Sequence, residues 1–125
     1  MAGLLGKDRS EIEADPAQYA RDAADRFRAV VALKGAQTFV ASPAGNACVC
    51  REGNVGLATS GSGDVLAGII AGLLARGTDY FSAACWGVYL HAVAGANLAR
   101  TIGSLGFLAR EISREIPHLM AELER

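Results

Sequence analysis

The stretch that decides the fold runs from Gly53 to Ala75 and has the sequence GNVGLATSGSGDVLAGIIAGLLA. Its first half is rich in glycine and predicts a loop, whereas its second half is apolar and long enough for a helix. The two halves meet at Gly61-Ser62-Gly63-Asp64. A glycine-rich turn that leads into a helix leaves backbone N–H groups unpaired at the positive end of the helix dipole. We therefore predict an anion site at this junction, with phosphate as its usual ligand.

The carboxylate of Asp64 falls in the first turn of the predicted helix, beside any anion that the loop holds. From that position it can take a proton from a nearby hydroxyl. Taken alone, the four residues also fit an ordinary helix start after a glycine turn. They match neither a P-loop, because no Gly-Lys-Ser/Thr follows, nor the Gly-x-Gly-x-x-Gly fingerprint of dinucleotide-binding proteins.

Length and composition are those of a small globular domain. The chain has 125 residues, which allows one domain at most, and 51% of them are hydrophobic, which is enough for a core. A formal net charge of −1 argues against a nucleic-acid or membrane-surface partner. The first residues lack the apolar segment of a signal peptide, so we expect a cytoplasmic protein.

The run from Tyr80 to Ala99 carries no Asp, Glu, Lys or Arg and is long enough to cross a membrane. Its polar residues Ser82, His91 and Asn97, and the lack of basic anchors beside it, favour a buried core helix instead.

Several side chains that could bind a ligand or react are better explained by their place in the structure. We expect His91 to be a core histidine with a hydrogen-bond partner, Trp86 and Tyr89 to lie in the core, and His118 to be exposed. Three cysteines, two of them in a Cys48-Val49-Cys50 pair, form neither a disulfide framework nor a good zinc site.

The hydrophobic pattern and the turn residues along the chain predict a mixture of helices and strands. Asp15-Pro16 is typical of a helix start. The apolar run from Val30 to Leu33 suits a strand covered on both faces, as in a parallel sheet. The full set of predicted elements is helix 16–28, strand 30–33, a hairpin of strands 38–41 and 47–50, a helix 62–76 buried on most sides, helix 80–100, and a last helix carrying Leu105 to Leu123 that Pro117 should kink or split.

A second candidate site follows the first strand. Lys34-Gly35-Ala36-Gln37-Thr38 lies at a strand end, where open α/β sheets place their ligands. The lysine can meet a nucleotide phosphate and the threonine offers a hydroxyl, although a lysine ending a strand is more often only solvated.

These two stretches resemble the carbohydrate-kinase-type NAD(P)H-hydrate dehydratases, a branch of the ribokinase-like superfamily that repairs damaged nicotinamide cofactors. The resemblance extends from about Leu4 to Leu123 and is strong at residues 34–38 (KGAQT) and 53–68 (GNVGLATSGSGDVLAG). It is weaker in the final helices, where GVYLHAVAG (87–95) and EIPHL (115–119) still resemble the family. Val55 stands where the family often has proline, and Ser60 where it often has glycine. The implied fold is α/β: the C-terminal portion of a ribokinase-like three-layer α/β/α fold, with a few strands and three to four helices.

The resemblance also implies a role for each site residue. Asp64 would be the catalytic acid/base and would contact the substrate. ADP or ATP would be the phosphoryl donor, with Mg²⁺ on the nucleotide and no dedicated metal site in the protein. The other implied roles are an anion hole of Gly61, Ser62 and Gly63, a nucleotide-binding set of Lys34, Gly35, Ala36, Gln37, Thr38 and Gly63, and substrate contacts from Asn54 and Thr59.

The implied reaction is the nucleotide-dependent dehydration of hydrated NAD(P)H. Two alternatives stay open: a small-molecule kinase of the same superfamily, acting on a vitamin precursor or sugar, and an inactive nucleotide-binding or self-associating remnant. The Gly-Asn-x-Gly-Leu-Ala-Thr segment before Gly61 favours the dehydratase.

The family's domain is much longer, and no counterpart of its earlier strands is present in residues 1–125. We therefore expect a single partial domain over 1–125, with an exposed sheet edge at the Val30–Leu33 strand. Self-association as a homo-oligomer, strand exchange or a partner supplying the missing N-terminal half would cover the exposed surface.

Overall fold

A computed structural model describes all residues from Met1 to Arg125, and the chain divides into two compact units, Met1–Val49 and Cys50–Arg125. The first unit combines helices with a three-stranded sheet, and the second is helical. In chain order the elements are α1 (Ala2–Leu5), α2 (Arg9–Ala14), α3 (Pro16–Phe27), β1 (Val31–Leu33), β2 (Thr38–Ala41), β3 (Ala47–Cys50), a 3₁₀ helix (Val55–Ala58), α4 (Ser62–Ala75), α5 (Tyr80–Thr101) and α6 (Ala109–Leu123).

Helix α3 of the first unit starts where the sequence predicts. Asp15 accepts a hydrogen bond from the backbone N–H of Gln18 at 3.3 Å, and Pro16 occupies the first helical position, where no N–H is needed. Its alanines at 20, 23 and 24 are buried, and the helix packs against β1 and β2. Small side chains on this face let the helix lie close to the sheet.

The strands are arranged in the order β1-β2-β3, so β1 lies at an edge of the sheet. Its pattern suggested a strand of a parallel sheet, but its one partner, β2, runs antiparallel, with Val31 opposite Ala41 and Leu33 opposite Phe39. The reason is the connection: residues 34–37 are too few for the crossover that a parallel pair requires.

The predicted turn between β2 and β3 is present. The backbone N–H of Ser42 donates to Asn46 O at 2.9 Å, and that of Gly45 donates to Ser42 O at 3.1 Å. The two strands are neighbours in the sheet, and a connection this short makes them an antiparallel hairpin.

Helices α4, α5 and α6 form the second unit around a core that α5 dominates. Leu90, Ala94 and Leu98 of α5 are buried together with Phe107, Ile112 and Leu119. Asp79 caps α5 by accepting from the backbone N–H of Ser82 at 2.9 Å, and this hydrogen bond lowers the pKa of the Asp79 carboxyl. No helix of the structure has the length and apolar character that a membrane crossing requires.

Helix α4 is less buried than its sequence suggested. Only Ser62 and Leu66 are buried, while Val65, Ile69 and Leu73 pack partly against the core. The large residues form one stripe that meets the core, and the small residues lie opposite it. The exposed small residues are Ala67, Gly68, Ala71, Gly72 and Ala75.

Three further expectations are corrected. Trp86 and Tyr89 are not core residues: they are 47% and 39% exposed and pack against each other edge to face, with ring centroids 5.9 Å apart. Helix α6 begins at Ala109, leaving Leu105 exposed. It is also not split at Pro117, because Ile112 and Leu119 anchor the helix to the core on either side of the proline.

Two glycines of α5 set how closely its neighbours approach. A Cβ atom at Gly87 would overlap Ile70 of α4, and a Cβ atom at Gly95 would overlap Leu57 of the 3₁₀ helix. Both glycines are buried. The segment that carries the predicted anion site is therefore packed against α5 at a distance that only glycine permits.

We predict that Gly87→Ala and Gly95→Ala each lower the free energy of unfolding by about 1–3 kcal/mol, because the added methyl group must displace a packed side chain. The matched control is Gly72→Ala on α4, where a Cβ meets nothing within 4 Å. That change should be neutral or stabilising by up to about 1 kcal/mol. Urea unfolding followed by circular dichroism measures all three, and a Gly95→Ala protein as stable as wild type would contradict the packing argument.

Candidate functional site

The loop that precedes α4 is held by its own hydrogen bonds. Asn54 caps the 3₁₀ helix, with its Oδ1 accepting from the backbone N–H of Gly56 at 2.9 Å. The N–H of Thr59 then donates to Gly56 O at 3.3 Å. Gly56 is buried, and a Cβ atom there would overlap the ring of Phe107. The path of the loop toward Gly61 is thus fixed before α4 begins.

The backbone N–H groups at the junction divide into two kinds. The N–H of Ser62 donates to Thr59 O at 3.2 Å, so it is engaged within the protein. The N–H groups of Gly61, Gly63 and Asp64 make no hydrogen bond within the protein. They lie at the start of a helix of 14 residues, where the dipole favours negative charge. Three of the four predicted donors are therefore available to an anion.

Glycine is needed for different reasons at Gly61 and Gly63. Gly61 is the N-cap of α4 and has a φ of 86°, a left-handed conformation, and a Cβ atom there would lie 3.3 Å from the Cβ of Ala109. Gly63 lies inside the first turn, and a Cβ atom there would meet nothing within 4 Å. The first glycine is required by the turn, and the second keeps the space beside the amides open.

Asp64 stands in the first turn of α4, as predicted, and is exposed. Its carboxylate takes part in neither of the protein's two salt bridges, Arg9–Glu13 and Arg76–Glu124. An exposed carboxylate one turn into a helix, next to three open N–H donors, is suited to accept a proton beside a bound phosphoryl group.

The side chain of Ser62 turns inward, to a partner that the sequence pattern did not pair with it. His91 Nε2 lies 2.9 Å from Ser62 Oγ and 3.0 Å from the Ser62 carbonyl oxygen. Both residues are buried, Ser62 at 2% and His91 at 4% exposure. His91 is therefore the core histidine that was predicted, and its partner belongs to the candidate site. The spacing Gly87-x₃-His91-x₃-Gly95 on one face of α5 is the sequence signal that could have indicated this contact.

Asn54 and Thr59, the predicted substrate contacts, are half-buried. Asn54 Nδ2 is buried and has no hydrogen-bond partner in the structure. A buried amide donor without an acceptor is rare in folded proteins. It fits the prediction that this residue meets a ligand.

The segment Lys34–Thr38 belongs to the first unit. Residues 34–37 are exposed between β1 and β2, and Thr38 is half-buried at the start of β2. Lys34 to Gln37 line a groove of about 920 Å³, together with Met1, Ala2, Arg9, Ile12, Glu13, Pro16, Leu33 and Phe39. Arg9 pairs with Glu13 at 2.7 Å, whereas Lys34 takes part in no salt bridge. The groove thus offers one uncommitted cation and a run of accessible backbone.

The predicted residues fall into two groups by unit. Lys34–Thr38 lie in the first unit, and Asn54, Thr59 and Gly61–Asp64 lie in the second. No three His, Cys, Asp or Glu side chains are grouped so that they could hold a metal ion. The three cysteines form no disulfide.

We predict that Gly61→Ala destabilises the protein by about 1–2 kcal/mol, because the Cβ atom of alanine makes a left-handed backbone conformation unfavourable. The paired variant Gly63→Ala should be neutral or slightly stabilising, since its methyl group enters open space and alanine favours the helix. Thermal unfolding of the two proteins makes the comparison. Equal loss of stability in both variants would mean that the turn at Gly61 has been assigned wrongly.

The chain is similar to known proteins over most of its length. Residues 1–118 match the family model described as NAD(P)H-hydrate dehydratase. The ADP-dependent (S)-NAD(P)H-hydrate dehydratase of Xanthomonas campestris is 54% identical over 125 residues, 100% of this chain and 43% of that protein. The bifunctional NAD(P)H-hydrate repair enzyme of Moorella thermoacetica is 42% identical over 124 residues, 99% of this chain and 23% of that protein.

A solved structure shares the fold. The ADP/ATP-dependent NAD(P)H-hydrate dehydratase of Bacillus subtilis, co-crystallised with ATP/Mg²⁺, superimposes with a TM-score of 0.85 at 33% identity. The match covers 90% of this chain and 41% of that one. The chain therefore spans less than half the length of these relatives, and its fold is that of the α/β ribokinase-like proteins it was predicted to resemble.

Proposed function

The chain belongs to the NAD(P)H-hydrate dehydratase family, and from this premise we propose that it carries the phosphoryl-binding and acid/base groups of a nucleotide-dependent dehydratase acting on hydrated NAD(P)H. One observation carries the proposal. The N–H groups of Gly61, Gly63 and Asp64 have no acceptor in the protein and stand beside the exposed Asp64 carboxylate.

The three N–H groups stabilise the phosphoryl group during transfer. Charge spreads over its oxygens in the transition state, and preorganised donors that are already fixed in place lower the energy of that state. The left-handed turn at Gly61 and the open space at Gly63 keep these donors accessible. In this proposal Ser62 contributes structure and not a donor, because its N–H is already bonded to Thr59.

Asp64 is the acid/base. The damaged cofactor carries a hydroxyl at C6 of its reduced nicotinamide ring, and hydroxide is a poor leaving group. Asp64 takes the hydroxyl proton while the oxygen attacks the terminal phosphorus of ADP or ATP, and the nucleotide leaves one phosphate shorter. The lone pair of the ring nitrogen then expels phosphate from C6, and loss of a proton from C5 restores the double bond of NAD(P)H.

The segment Lys34–Thr38 is proposed to contact the adenine nucleotide. The Lys34 ammonium supplies charge for a phosphate, and Gly35 and Ala36 present their backbone in a groove of about 920 Å³. The Mg²⁺ that accompanies nucleotides in such reactions would come with the phosphates, because the side chains of this chain do not form a metal-binding cluster.

Asn54 and Thr59 are proposed to contact the substrate. The buried Nδ2 of Asn54 lacks an acceptor, and a hydroxyl or carbonyl of the hydrated nicotinamide would supply one. Thr59 follows the 3₁₀ helix that Asn54 caps, so the two are held by one short element.

We predict that Asp64→Asn lowers turnover by at least about 10²-fold, the lower range for loss of a general base, while ADP binding is kept. The assay supplies hydrated NADH with ADP or ATP and follows the return of NADH absorbance. Asp25→Asn, an exposed carboxylate on α3, is the matched control and should have wild-type activity. Full turnover by Asp64→Asn would remove the aspartate from the mechanism.

The same assay separates the alternatives. A phosphorylated product with no return of NADH absorbance would indicate a kinase. ADP binding by the wild-type chain, with neither product, would indicate a nucleotide-binding remnant.

We predict that Gly63→Ala weakens ADP binding about tenfold, equal to about 1.4 kcal/mol, because its methyl group occupies the space beside the open amides. Gly68→Ala adds the same methyl group to the same helix five residues further on, also in open space, and should bind ADP as wild type does. Calorimetric titration measures both, and equal affinities would place the phosphates away from Gly63.

A further inference from the structure

Three residues of α5 at four-residue spacing touch three successive points of the segment that carries the site. Gly95 meets Leu57 of the 3₁₀ helix, His91 meets Ser62 at the start of α4, and Gly87 meets Ile70 further along α4. Residues four apart lie on one face of a helix. Residues 57–70 therefore pack along this face of α5 and run antiparallel to it.

His91 makes the only polar contact of the three, and its geometry defines its protonation. Nε2 lies 3.0 Å from the Ser62 carbonyl oxygen, which can only accept a hydrogen bond. A nitrogen lone pair facing that oxygen would be repelled, so Nε2 carries a proton. It donates to the carbonyl oxygen, and Ser62 Oγ, 2.9 Å away, is close enough to share the same N–H.

The N–H, the carbonyl oxygen and the hydroxyl oxygen of Ser62 are consequently engaged inside the protein. Its N–H donates to Thr59 O at 3.2 Å, and both its carbonyl and its hydroxyl oxygen face His91. Ser62 lies between Gly61 and Gly63 in the chain. The Ser62 carbonyl and the Gly63 N–H belong to one planar peptide group and point in opposite directions, so a carbonyl held against His91 turns the Gly63 N–H away from it. The N–H groups of Gly61 and Asp64 flank this peptide and also lack an acceptor in the protein.

We propose that His91 is a positioning residue for the phosphoryl site: its Nε2–H anchors Ser62, which sets the direction of the Gly63 N–H and holds the neighbouring N–H groups of Gly61 and Asp64 in place beside it. The inference rests on the function proposed above and adds to it a residue that touches neither nucleotide nor substrate. His91 acts through Ser62.

The test compares three variants in the whole chain. His91→Leu removes the donor, His91→Gln keeps an N–H donor near the position of Nε2, and Ser62→Ala removes one of the two acceptors. His118→Leu is the control, because it makes the same change at an exposed histidine of α6. ADP is titrated into each protein while NMR follows the backbone N–H signals of Gly61, Gly63 and Asp64 and the His91 side-chain signal.

In wild type, the three backbone signals and the His91 Nε2–H signal should shift together as ADP binds. His91→Leu should bind ADP at least about tenfold more weakly, and His91→Gln should return to within about threefold of wild type. Ser62→Ala should lie between them, and His118→Leu should not differ from wild type. A purely structural role would lower the melting temperature of the His91 variants without changing the ADP affinity of the folded protein.

Three results would overturn the inference: a folded His91→Leu protein that binds ADP as wild type does, a folded His91→Gln protein that binds as weakly as His91→Leu, or an His91 Nε2 that carries no proton. If His91→Leu does not fold, the inference is tested by the ADP affinities of His91→Gln and Ser62→Ala and by the His91 Nε2–H signal of wild type. If the wild-type N–H signals of residues 61, 63 and 64 do not shift at saturating ADP, the proposed function itself is wrong. If they respond equally in wild type and His91→Leu, only the role of His91 fails.

Discussion

The close packing of α5 against residues 57–70 is the constraint on which the second unit depends. Gly87 and Gly95 let the 3₁₀ helix and α4 approach without a Cβ atom between them, and His91 supplies the polar contact at the midpoint. A loop with this much glycine would otherwise be free to take many conformations, at a cost in entropy when it binds a ligand. Packing against a rigid helix removes most of that cost beforehand.

The same constraint explains why donors at the start of α4 differ from one another. Ser62 is buried and turned toward α5, whereas its neighbours Gly61, Gly63 and Asp64 are exposed. A helix start commonly leaves its first N–H groups unpaired. Here one residue is held inward by His91, while the N–H groups of the residues on either side have no acceptor in the protein. We propose that this difference between Ser62 and its neighbours makes the junction suitable for an anion.

The sequence predicted the elements well because their signals are local. Asp15-Pro16 and Asp79 begin α3 and α5, and glycine-rich residues precede α4. The features it did not predict depend on which surfaces meet. Nothing in the apolar run of α4 says that its small-residue side stays exposed, and nothing near Trp86 says that α6 leaves it half-covered. The direction of β1 relative to β2 followed from connection length, a rule that outweighs the apolar pattern.

The residues of the candidate site could be predicted from the sequence, but the contacts among them could not. Glycine, serine and aspartate at 61–64 predict an anion site, whereas the contact between Ser62 and His91, 29 positions apart, is visible only in the structure. Likewise, the unpartnered Asn54 Nδ2 has no sequence signature. The chain spans less than half the length of its relatives, so these assignments concern its own residues and the groups they can bind.

The most direct measurement is a crystal structure of this chain with ADP or a non-hydrolysable ATP analogue. The account predicts oxygens of the terminal phosphate within about 2.7–3.2 Å of the backbone nitrogens of Gly61, Gly63 and Asp64. It also predicts the Asp64 carboxylate on the side of that phosphate where a hydroxyl can enter. A bound nucleotide whose phosphates leave these three nitrogens in contact with solvent alone would contradict it.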